Sequence, residues 1–297
     1  MALHKPTEPH AAEAKRERIA RPGASTRTRV ITYQGAGVHR RSDAVATEEP
    51  LEIRIHYVGD DYLSSVTMRT PGNDFELATG WLLAEGIVRR HDDVTRMAYC
   101  VDREVGEEQR YNIVNVHLRS DVERDLDSIE RNFFTTSACG VCGKAGLDQL
   151  ATKATRIDPG GLSIRPETIL SLPEKLRSAQ GVFERTGGLH AAGLFDSSGT
   201  LLGIREDVGR HNALDKLLGW ALLEKMLPLS DCIVVVSGRA SYELAQKCVV
   251  AGVPMMCAVS APSSLAIQVA EDFNMTLIGF LRDERFNVYA GAERIQG

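Results

Sequence analysis

The chain has 297 residues, a formal charge of −5 and 43% hydrophobic residues, as in an ordinary globular protein. This composition excludes collagen-like, coiled-coil and wholly disordered chains, and the acidic balance excludes a global basic field for nucleic acid or a membrane. A chain of this length buries enough surface to fold without disulfides or a structural metal. It has no apolar run of about 18 residues and no signal-peptide pattern, so we expect a cytoplasmic protein with reduced cysteines.

The N-terminal third divides into an arm and a smaller folded part. Residues 1–28 mix basic side chains with Pro and Ala and lack apolar periodicity, which predicts a disordered basic arm. Residues 29–134 carry strand and helix patterns in irregular order, which predicts an α+β part.

Within that part, alternating polarity predicts paired strands at residues 51–58 and 65–69. A helix should follow, capped by Asn73 with Glu76 three residues later and ending at Gly86. The patterns that come next predict strands at 97–101 and 111–118 and a helix at 121–131.

Residues 147–297 predict a C-terminal α/β part. Its strand-sized runs are apolar throughout, at residues 232–236, 255–259 and 275–280. Amphipathic helical patterns at 244–252 and 265–273 separate the runs. This alternation predicts a partly parallel sheet covered by helices on both sides, with ligands beyond the carboxyl ends of its strands.

Two turns after these strands are rich in hydroxyl groups. Residues 237–241, which include Ser237 and Arg239, follow the first strand, and residues 260–264 follow the second. Free N–H groups at a helix start, together with Ser and Arg, suit a phosphate or pyrophosphate. The alternative for each turn is simple helix capping by Ser.

A third turn opens a helix whose buried stripe contains Leu214 and Leu217. Arg210 lies on that stripe, where a permanent cation needs an anion, and His211 lies at its edge. Two interpretations remain open from the residues alone. These side chains form a ligand site, or Arg210 pairs with Glu206 or Asp207 while His211 is a satisfied core histidine.

The strongest local pattern is a thiol loop at residues 135–146, containing Cys139, Cys142 and Lys144. A following helix start and a lysine favour a thiolate, and the glycines suggest a mobile loop. A structural zinc site lacks a second close pair of ligands, and a zinc deaminase lacks its His-x-Glu signature. A sulfur carrier, a dithiol oxidoreductase and an unreactive pair remain as interpretations.

Six ordered blocks resemble the formate dehydrogenase accessory sulfurtransferase family (FdhD/NarQ-like), and the resemblance covers about residues 46–296. The blocks are residues 78–87, 138–143, 186–192, 206–216, 237–243 and 286–289. The resemblance implies a cytidine-deaminase-like layered α/β fold.

The resemblance also implies a function. Members of this family take sulfur from a cysteine desulfurase and pass it to the molybdenum bis(pterin guanine dinucleotide) cofactor, which the formate dehydrogenase catalytic subunit requires. By position, Cys139 would carry the persulfide, and Cys142 would assist the transfer or protect the loop as a disulfide. Residues 147–297 would then bind the cofactor as a substrate, and we expect that the chain can form a homodimer.

The family's cofactor-binding segment falls here on Phe280, Leu281, Arg282, Asp283, Glu284 and Arg285. The family commonly has a glycine between the two arginines, where this chain has Asp283 and Glu284. A dinucleotide with pyrophosphates also suits the turns that carry Arg210, His211, Ser237 and Arg239. We predict no metal ligand set. The alternative functions are a non-covalent chaperone of the molybdenum cofactor and a dithiol oxidoreductase.

Overall fold

The computed structural model describes residues 21–58, 61–102, 105–120, 122 and 150–297. The first element is a two-stranded antiparallel ribbon in which β1 (Ser25–Gln34) pairs along its length with β2 (Gly37–Ala46). The boundary of the predicted disordered arm at residue 28 is therefore wrong, because β1 begins at Ser25. Residues 1–20 of that arm lie outside the described residues.

A four-stranded sheet comes next, in the order β4-β3-β6-β5. Its strands are β3 (Glu49–Val58), β4 (Asp61–Arg69), β5 (Val94–Tyr99) and β6 (Ile113–Leu118). They confirm the predicted strands with shifted ends, since short 3₁₀ helices (His91–Asp93 and Glu107–Asn112) precede β5 and β6. Alternate residues of β3 are buried, which gives the sheet one inner face. The helix predicted at 121–131 falls outside the described residues, apart from residue 122.

Helix α1 (Asp74–Ala84) confirms the helix predicted after Asn73, but the predicted cap is wrong. Asn73 has a left-handed φ of 57° and its side chain makes no capping hydrogen bond. A capping side chain needs an extended backbone at this position. The turn is fixed instead by Arg69, whose Nε donates to Asp74 Oδ1 at 3.0 Å. Gly86 follows the helix with φ 74°, as expected for its exit.

The C-terminal part contains a six-stranded sheet in the order β12-β11-β10-β9-β7-β8. Its strands are β7 (His190–Asp196), β8 (Leu201–Asp207), β9 (Cys232–Val236), β10 (Met255–Ala258), β11 (Thr276–Arg282) and β12 (Arg285–Ala290). Strands β9, β10 and β11 are parallel, whereas β7, β8 and β12 are antiparallel to their neighbours. The predicted partly parallel sheet is confirmed.

Helices cover both faces of this sheet, and neighbouring residues of β9 therefore enter different clusters. Val234 packs with α4 (Arg210–Leu223), α5 (Tyr242–Val250) and α6 (Ser264–Asp272), whereas Val235 packs on the other face with α2 (Pro166–Ala179). The short elements are α3 (Gly181–Thr186) and a 3₁₀ helix (Ala292–Arg294). None of the helices in the described ranges is long and apolar enough to cross a membrane.

Helix α4 lies at the centre of the molecule. Its predicted stripe is buried, and so are the polar residues Asn212, Asp215 and Lys216. α4 crosses α1 in backbone contact, since a Cβ on Gly219 would overlap the Glu76 carbonyl oxygen. One hydrophobic cluster also includes both Leu51 of β3 and Leu214 of α4. The division into parts 29–134 and 147–297 remains a prediction.

We expect Gly219→Ala to lower the free energy of unfolding by about 3 kcal/mol, because overpacking costs about 1–3 kcal/mol and the obstructing atoms belong to the α1 backbone. Helix propensity alone would change stability by about 1 kcal/mol in the opposite direction. Chemical denaturation measures the difference. The control is Gly106→Ala, whose added Cβ has no heavy atom within 4 Å. Equal stability of Gly219→Ala and the unaltered protein would contradict the backbone contact.

Candidate functional site

Four segments meet at one edge of the six-stranded sheet, which we call the carboxyl edge. Strands β9, β10 and β11 are parallel, so the residues after each of them lie on the same side. Strand β8 also ends there, because Asp207 pairs with His190 at the start of β7, and β7 runs antiparallel to β9. The carboxyl edge therefore contains the start of α4, residues 237–241, residues 260–264 and the β11–β12 connection.

The two hydroxyl-rich turns continue the sheet's pairing beyond its strands. The Ser260 amide donates to the Gly238 carbonyl at 3.2 Å, and the Ser263 amide donates to the Ala240 carbonyl at 2.9 Å. These bonds fix the backbone on both sides of Arg239. The Arg239 side chain is exposed and makes no ion pair within the described part of the chain.

One serine hydroxyl in each of these turns accepts a hydrogen bond from a backbone amide and so stabilises the fold. Ser237 Oγ accepts a hydrogen bond from the Ala191 amide at 2.9 Å, which joins the end of β9 to β7. Ser263 Oγ accepts from the Ala266 amide at 3.3 Å and caps α6. The capping alternative is thus correct for the second turn. In the first turn Ser237 instead stabilises the sheet edge.

The turn that opens α4 is fixed by the buried carboxylate of Asp207. Its Oδ2 accepts from the Lys216 ammonium at 2.7 Å and from the Thr70 amide at 3.0 Å. Its Oδ1 accepts from the Gly209 amide at 2.9 Å, and Lys216 also donates to the Thr70 carbonyl at 2.8 Å. This network connects the turn to the end of β4 and leaves Asp207 engaged with Lys216 rather than with Arg210.

Arg210 has no anionic partner within the described residues. Its Nε is buried and has no hydrogen-bond partner there. Glu206, the other partner considered, accepts from the backbone amides of Val182 and Phe183 at 3.0 and 2.7 Å. The guanidinium lies at the start of a 14-residue helix, where unpaired N–H groups also favour negative charge. The described residues thus favour the ligand-site interpretation of Arg210 over the internal salt bridge.

His211 connects the α4 turn to the start of α5. Its Nε2 lies 3.3 Å from Ser241 Oγ and 3.7 Å from Glu243 Oε2. The hydrogen bond with His211 is the largest cause of the lowered pKa of Glu243, which falls to about 2. His211 is therefore not a core histidine, because it forms an imidazole–carboxylate contact at the carboxyl edge.

His190 also belongs to this edge, although the sequence pattern did not single it out as a site residue. Burial lowers its pKa, and the positive charges of Arg210 and His211 lower it further. The ring rests against the turn after β9, since a Cβ on Gly238 would lie 3.5 Å from His190 Nδ1. Its position at the start of an antiparallel strand becomes visible only when the strand order is known.

The segment predicted to bind the cofactor runs from the end of β11 through the two-residue β11–β12 connection to the start of β12. Leu281 is fully buried in the core, which contradicts a ligand contact by its side chain. Phe280 is half-buried, with the Arg282 guanidinium 6.0 Å from its ring centroid. Asp283 has a φ of 55°, a left-handed conformation that glycine adopts without strain. The exposed side chains of the segment are Arg282, Asp283, Glu284 and Arg285.

The two predicted sulfur-carrying residues, Cys139 and Cys142, lie outside the described residues, as does the whole predicted loop 135–146. Burial raises the pKa of Cys232 to about 11 and that of Cys248 to about 12, and it also raises the pKa of Cys257. These three side chains are therefore uncharged thiols at neutral pH. The described ranges contain no group of three or more His, Cys, Asp or Glu side chains that could hold a metal ion.

Comparisons with known proteins extend over nearly the whole chain. The model of the FdhD/NarQ family matches residues 46–296. A protein of Streptomyces avermitilis named sulfur carrier protein FdhD is 50% identical over 271 residues, covering 91% of this chain and 95% of that protein. The protein of the same name from Mycobacterium tuberculosis is 47% identical over 277 residues, covering 92% and 99%.

A solved structure has the same fold. It belongs to a protein from Desulfotalea psychrophila assigned as a formate dehydrogenase accessory protein, and the TM-score is 0.72 at 22% sequence identity. The match covers 92% of this chain and all of the other. The layered α/β fold expected from the sequence is confirmed.

We expect Arg210→Gln to raise the pKa of His190, because the substitution removes a positive charge that disfavours the imidazolium. An NMR titration of the His190 ring measures this. The control is Arg239→Gln, which removes an exposed cation from the same edge. Arg239 is not among the charges that lower the pKa of His190. Equal His190 titration in all three proteins would contradict the placement of Arg210 beside the ring.

The same shift has a consequence for stability. Because the pKa of His190 is lower in the folded than in the unfolded chain, its protonation costs stability as the pH falls below about 6.5. Arg210→Gln should reduce this loss, as measured by denaturation at several pH values.

Proposed function

Since the chain belongs to the FdhD/NarQ family, we propose that it is a sulfurtransferase that serves formate dehydrogenase. Cys139 accepts sulfane sulfur from a cysteine desulfurase as a persulfide and passes it on to the molybdenum bis(pterin guanine dinucleotide) cofactor. The cofactor is a substrate that this protein holds during the transfer. The name sulfur carrier protein, borne by relatives about half identical to this chain, supports the sulfur-transfer part of the proposal.

The observation that carries the cofactor part is the Arg210 guanidinium, which forms no ion pair with the residues that the structure describes and leaves its buried Nε without a hydrogen bond to them. The Arg210 side chain is half-buried, and a bound anion at this place would satisfy that N–H group. The start of α4 adds its N–H groups, and Arg239 adds a second, exposed cation at the same edge. A ligand with pyrophosphate groups and planar rings fits this combination of charge and hydroxyl-rich turns.

The β11–β12 connection offers further contacts for such a ligand. The guanidinium groups of Arg282 and Arg285 face water on neighbouring strands, and the carboxylates of Asp283 and Glu284 lie between them. Arginines suit phosphate oxygens, whereas a carboxylate suits the N–H groups of a guanine ring. The half-buried Phe280 ring supplies an apolar surface at the same place.

The thiols of Cys139 and Cys142 carry out the sulfur transfer. The Cys139 thiolate attacks the terminal sulfur of the desulfurase persulfide, which forms a new S–S bond and releases the desulfurase cysteine as a thiolate. The Cys142 thiol can then attack the inner sulfur of the Cys139 persulfide. This forms a Cys139–Cys142 disulfide and releases the outer sulfur as hydrosulfide. The two thiols thus provide the electrons that turn sulfane sulfur into sulfide.

The thiol pKa values of the described cysteines support the assignment of the chemical step to Cys139 and Cys142. Cys232, Cys248 and Cys257 have raised pKa values and remain poor nucleophiles at neutral pH. Cys100, the fourth described cysteine, is buried. Sulfur chemistry on this chain therefore falls most naturally to Cys139 and Cys142.

Mass spectrometry tests the covalent step. After incubation with cysteine desulfurase and cysteine, the peptide with Cys139 should gain roughly 32 Da, which is the mass of the one sulfur atom that converts a cysteine to a persulfide. Cys139→Ala should remove the adduct and abolish activation of formate dehydrogenase, while fold and guanine nucleotide affinity stay unchanged. Cys248→Ala, at a buried thiol, is the control and should keep the adduct. Activation of the dehydrogenase by the Cys139→Ala protein would favour the non-covalent chaperone.

A binding measurement tests the carboxyl edge. Arg210→Ala and Arg239→Ala should each weaken the binding of guanosine diphosphate by about 1–3 kcal/mol, the range for charge-assisted hydrogen bonds to phosphate. Arg96→Ala, which removes an exposed cation from the four-stranded sheet, is the control and should leave the affinity unchanged. Isothermal titration calorimetry gives the three affinities. Unchanged binding by both edge variants would assign Arg210 and Arg239 a purely structural role.

A further inference from the structure

The imidazole of His190 lies at the carboxyl edge and makes no hydrogen bond to the described residues. His190 is the first residue of β7, and its side chain is half-buried. Polar groups that are withdrawn from water normally have a hydrogen-bond partner. An imidazole ring in this position, with both nitrogens unused by the described chain, is therefore a candidate ligand-binding group.

The pairing of the strands directs the His190 side chain towards α4. His190 pairs with Asp207 of β8, and side chains directly opposite each other point to the same face of a sheet. Asp207 points to α4, where its carboxylate accepts from Lys216 at 2.7 Å. His190 also lies two residues before Ala192, which packs in the same hydrophobic cluster as Leu214 of α4. The imidazole thus faces the start of that helix.

The charges of α4 and β8 place this ring in a positive environment. Burial is the largest cause of the lowered pKa of His190, followed by the positive charges of Arg210 and then of His211. Asp207 acts in the opposite direction and more weakly, and its carboxylate is engaged with Lys216. Because like charges disfavour each other, an anion placed between these groups would favour the protonated ring.

The remaining charged groups at this edge do not supply that anion. Glu243 of α5 lies 3.7 Å from His211 Nε2 and balances His211. Arg239, in the turn after β9, is exposed and adds positive charge. Arg210 forms no ion pair with the residues that the structure describes, and its buried Nε has no hydrogen bond to them. Within the described chain, no carboxylate therefore pairs with Arg210 where its charge acts on His190.

We infer that the pyrophosphate of the ligand lies against both Arg210 and His190, and that His190 takes up a proton from solvent when the ligand binds. The inference rests on the proposed function, because it assumes that a pyrophosphate compound is held at the carboxyl edge. A protonated ring donates a charge-assisted hydrogen bond to a phosphate oxygen, which is stronger than the bond from a neutral ring. Binding is thus linked to pH and becomes tighter as the pH falls.

Isothermal titration calorimetry in buffers of different ionisation enthalpy counts the protons taken up. The probe is diguanosine pyrophosphate, whose phosphates are diesters, because a terminal phosphate itself titrates at about pH 6. At pH 7 the unaltered protein should take up roughly half a proton per bound molecule, and its affinity should rise about fivefold between pH 8 and pH 6.

Two histidine variants form a matched pair for this measurement. His190→Gln should abolish the proton uptake and reduce the change in affinity over the same pH range to about twofold or less. The control is His117→Gln, which removes a half-buried imidazole of the four-stranded sheet whose pKa is also lowered by burial. It should keep both the uptake and the pH dependence.

An NMR titration of the His190 ring tests the same point without a substitution. In the unaltered protein, the pKa of His190 should rise when diguanosine pyrophosphate saturates the site, because the bound anion favours the imidazolium. An unchanged pKa in the saturated protein would contradict the contact between this ring and the pyrophosphate, whether or not His190→Gln folds.

The calorimetry separates the inference from the proposed function. Proton uptake that is absent from the unaltered protein, or equal in this protein and in His190→Gln, overturns the inference. Uptake that persists in His190→Gln and disappears in His211→Gln assigns the proton to His211 and overturns it as well. In these cases, binding that Arg210→Ala weakens still supports the cofactor part of the proposed function. No binding of the probe contradicts that part together with the inference.

Discussion

Removing the Asp207 carboxylate and the Lys216 ammonium from water costs several kcal/mol per charge, and such a pair is stable only when further hydrogen bonds complete it. Here the backbone of Thr70 and Gly209 supplies those bonds. The pair thereby positions the turn that carries Arg210. Without Asp207, the Lys216 charge would be buried alone and the start of α4 would lose its connection to β4.

A second buried pair fixes the same helix on its other side. Lys247 of α5 donates to Asp215 of α4 at 2.6 Å, although burial raises the pKa of that carboxyl group. Together the two pairs hold α4 against the end of β4 and against α5. The turn that carries Arg210 is therefore fixed from two sides by buried ion pairs.

The sequence revealed the buried parts of this fold better than the exposed ones. The runs at β9, β10 and β11 are apolar because both faces are covered, and a pattern of that kind is unambiguous. The ribbon was missed because neither of its faces is buried, so Arg27 was included in the predicted disordered arm of residues 1–28. At the site, Arg210 and Arg239 could be grouped because both follow predicted strands. The position of His190 at the same edge could not be predicted, because it depends on β7 running antiparallel to β9. Leu281 directly follows the apolar run at residues 275–280, so its burial fits a continuation of that strand, whereas the next four residues are polar and exposed.

The contact of α1 with α4 affects how the polypeptide can be connected. Strand β6 and helix α1 come before the cysteine pair in sequence, whereas α4 comes after it, and all three share one hydrophobic cluster. Cohesion between the two halves is thus supplied by side-chain packing and does not require the peptide bonds between residues 122 and 150. Because the entropy of loop closure changes only slowly with length, lengthening or shortening the connection between the halves should cost the packed scaffold little stability.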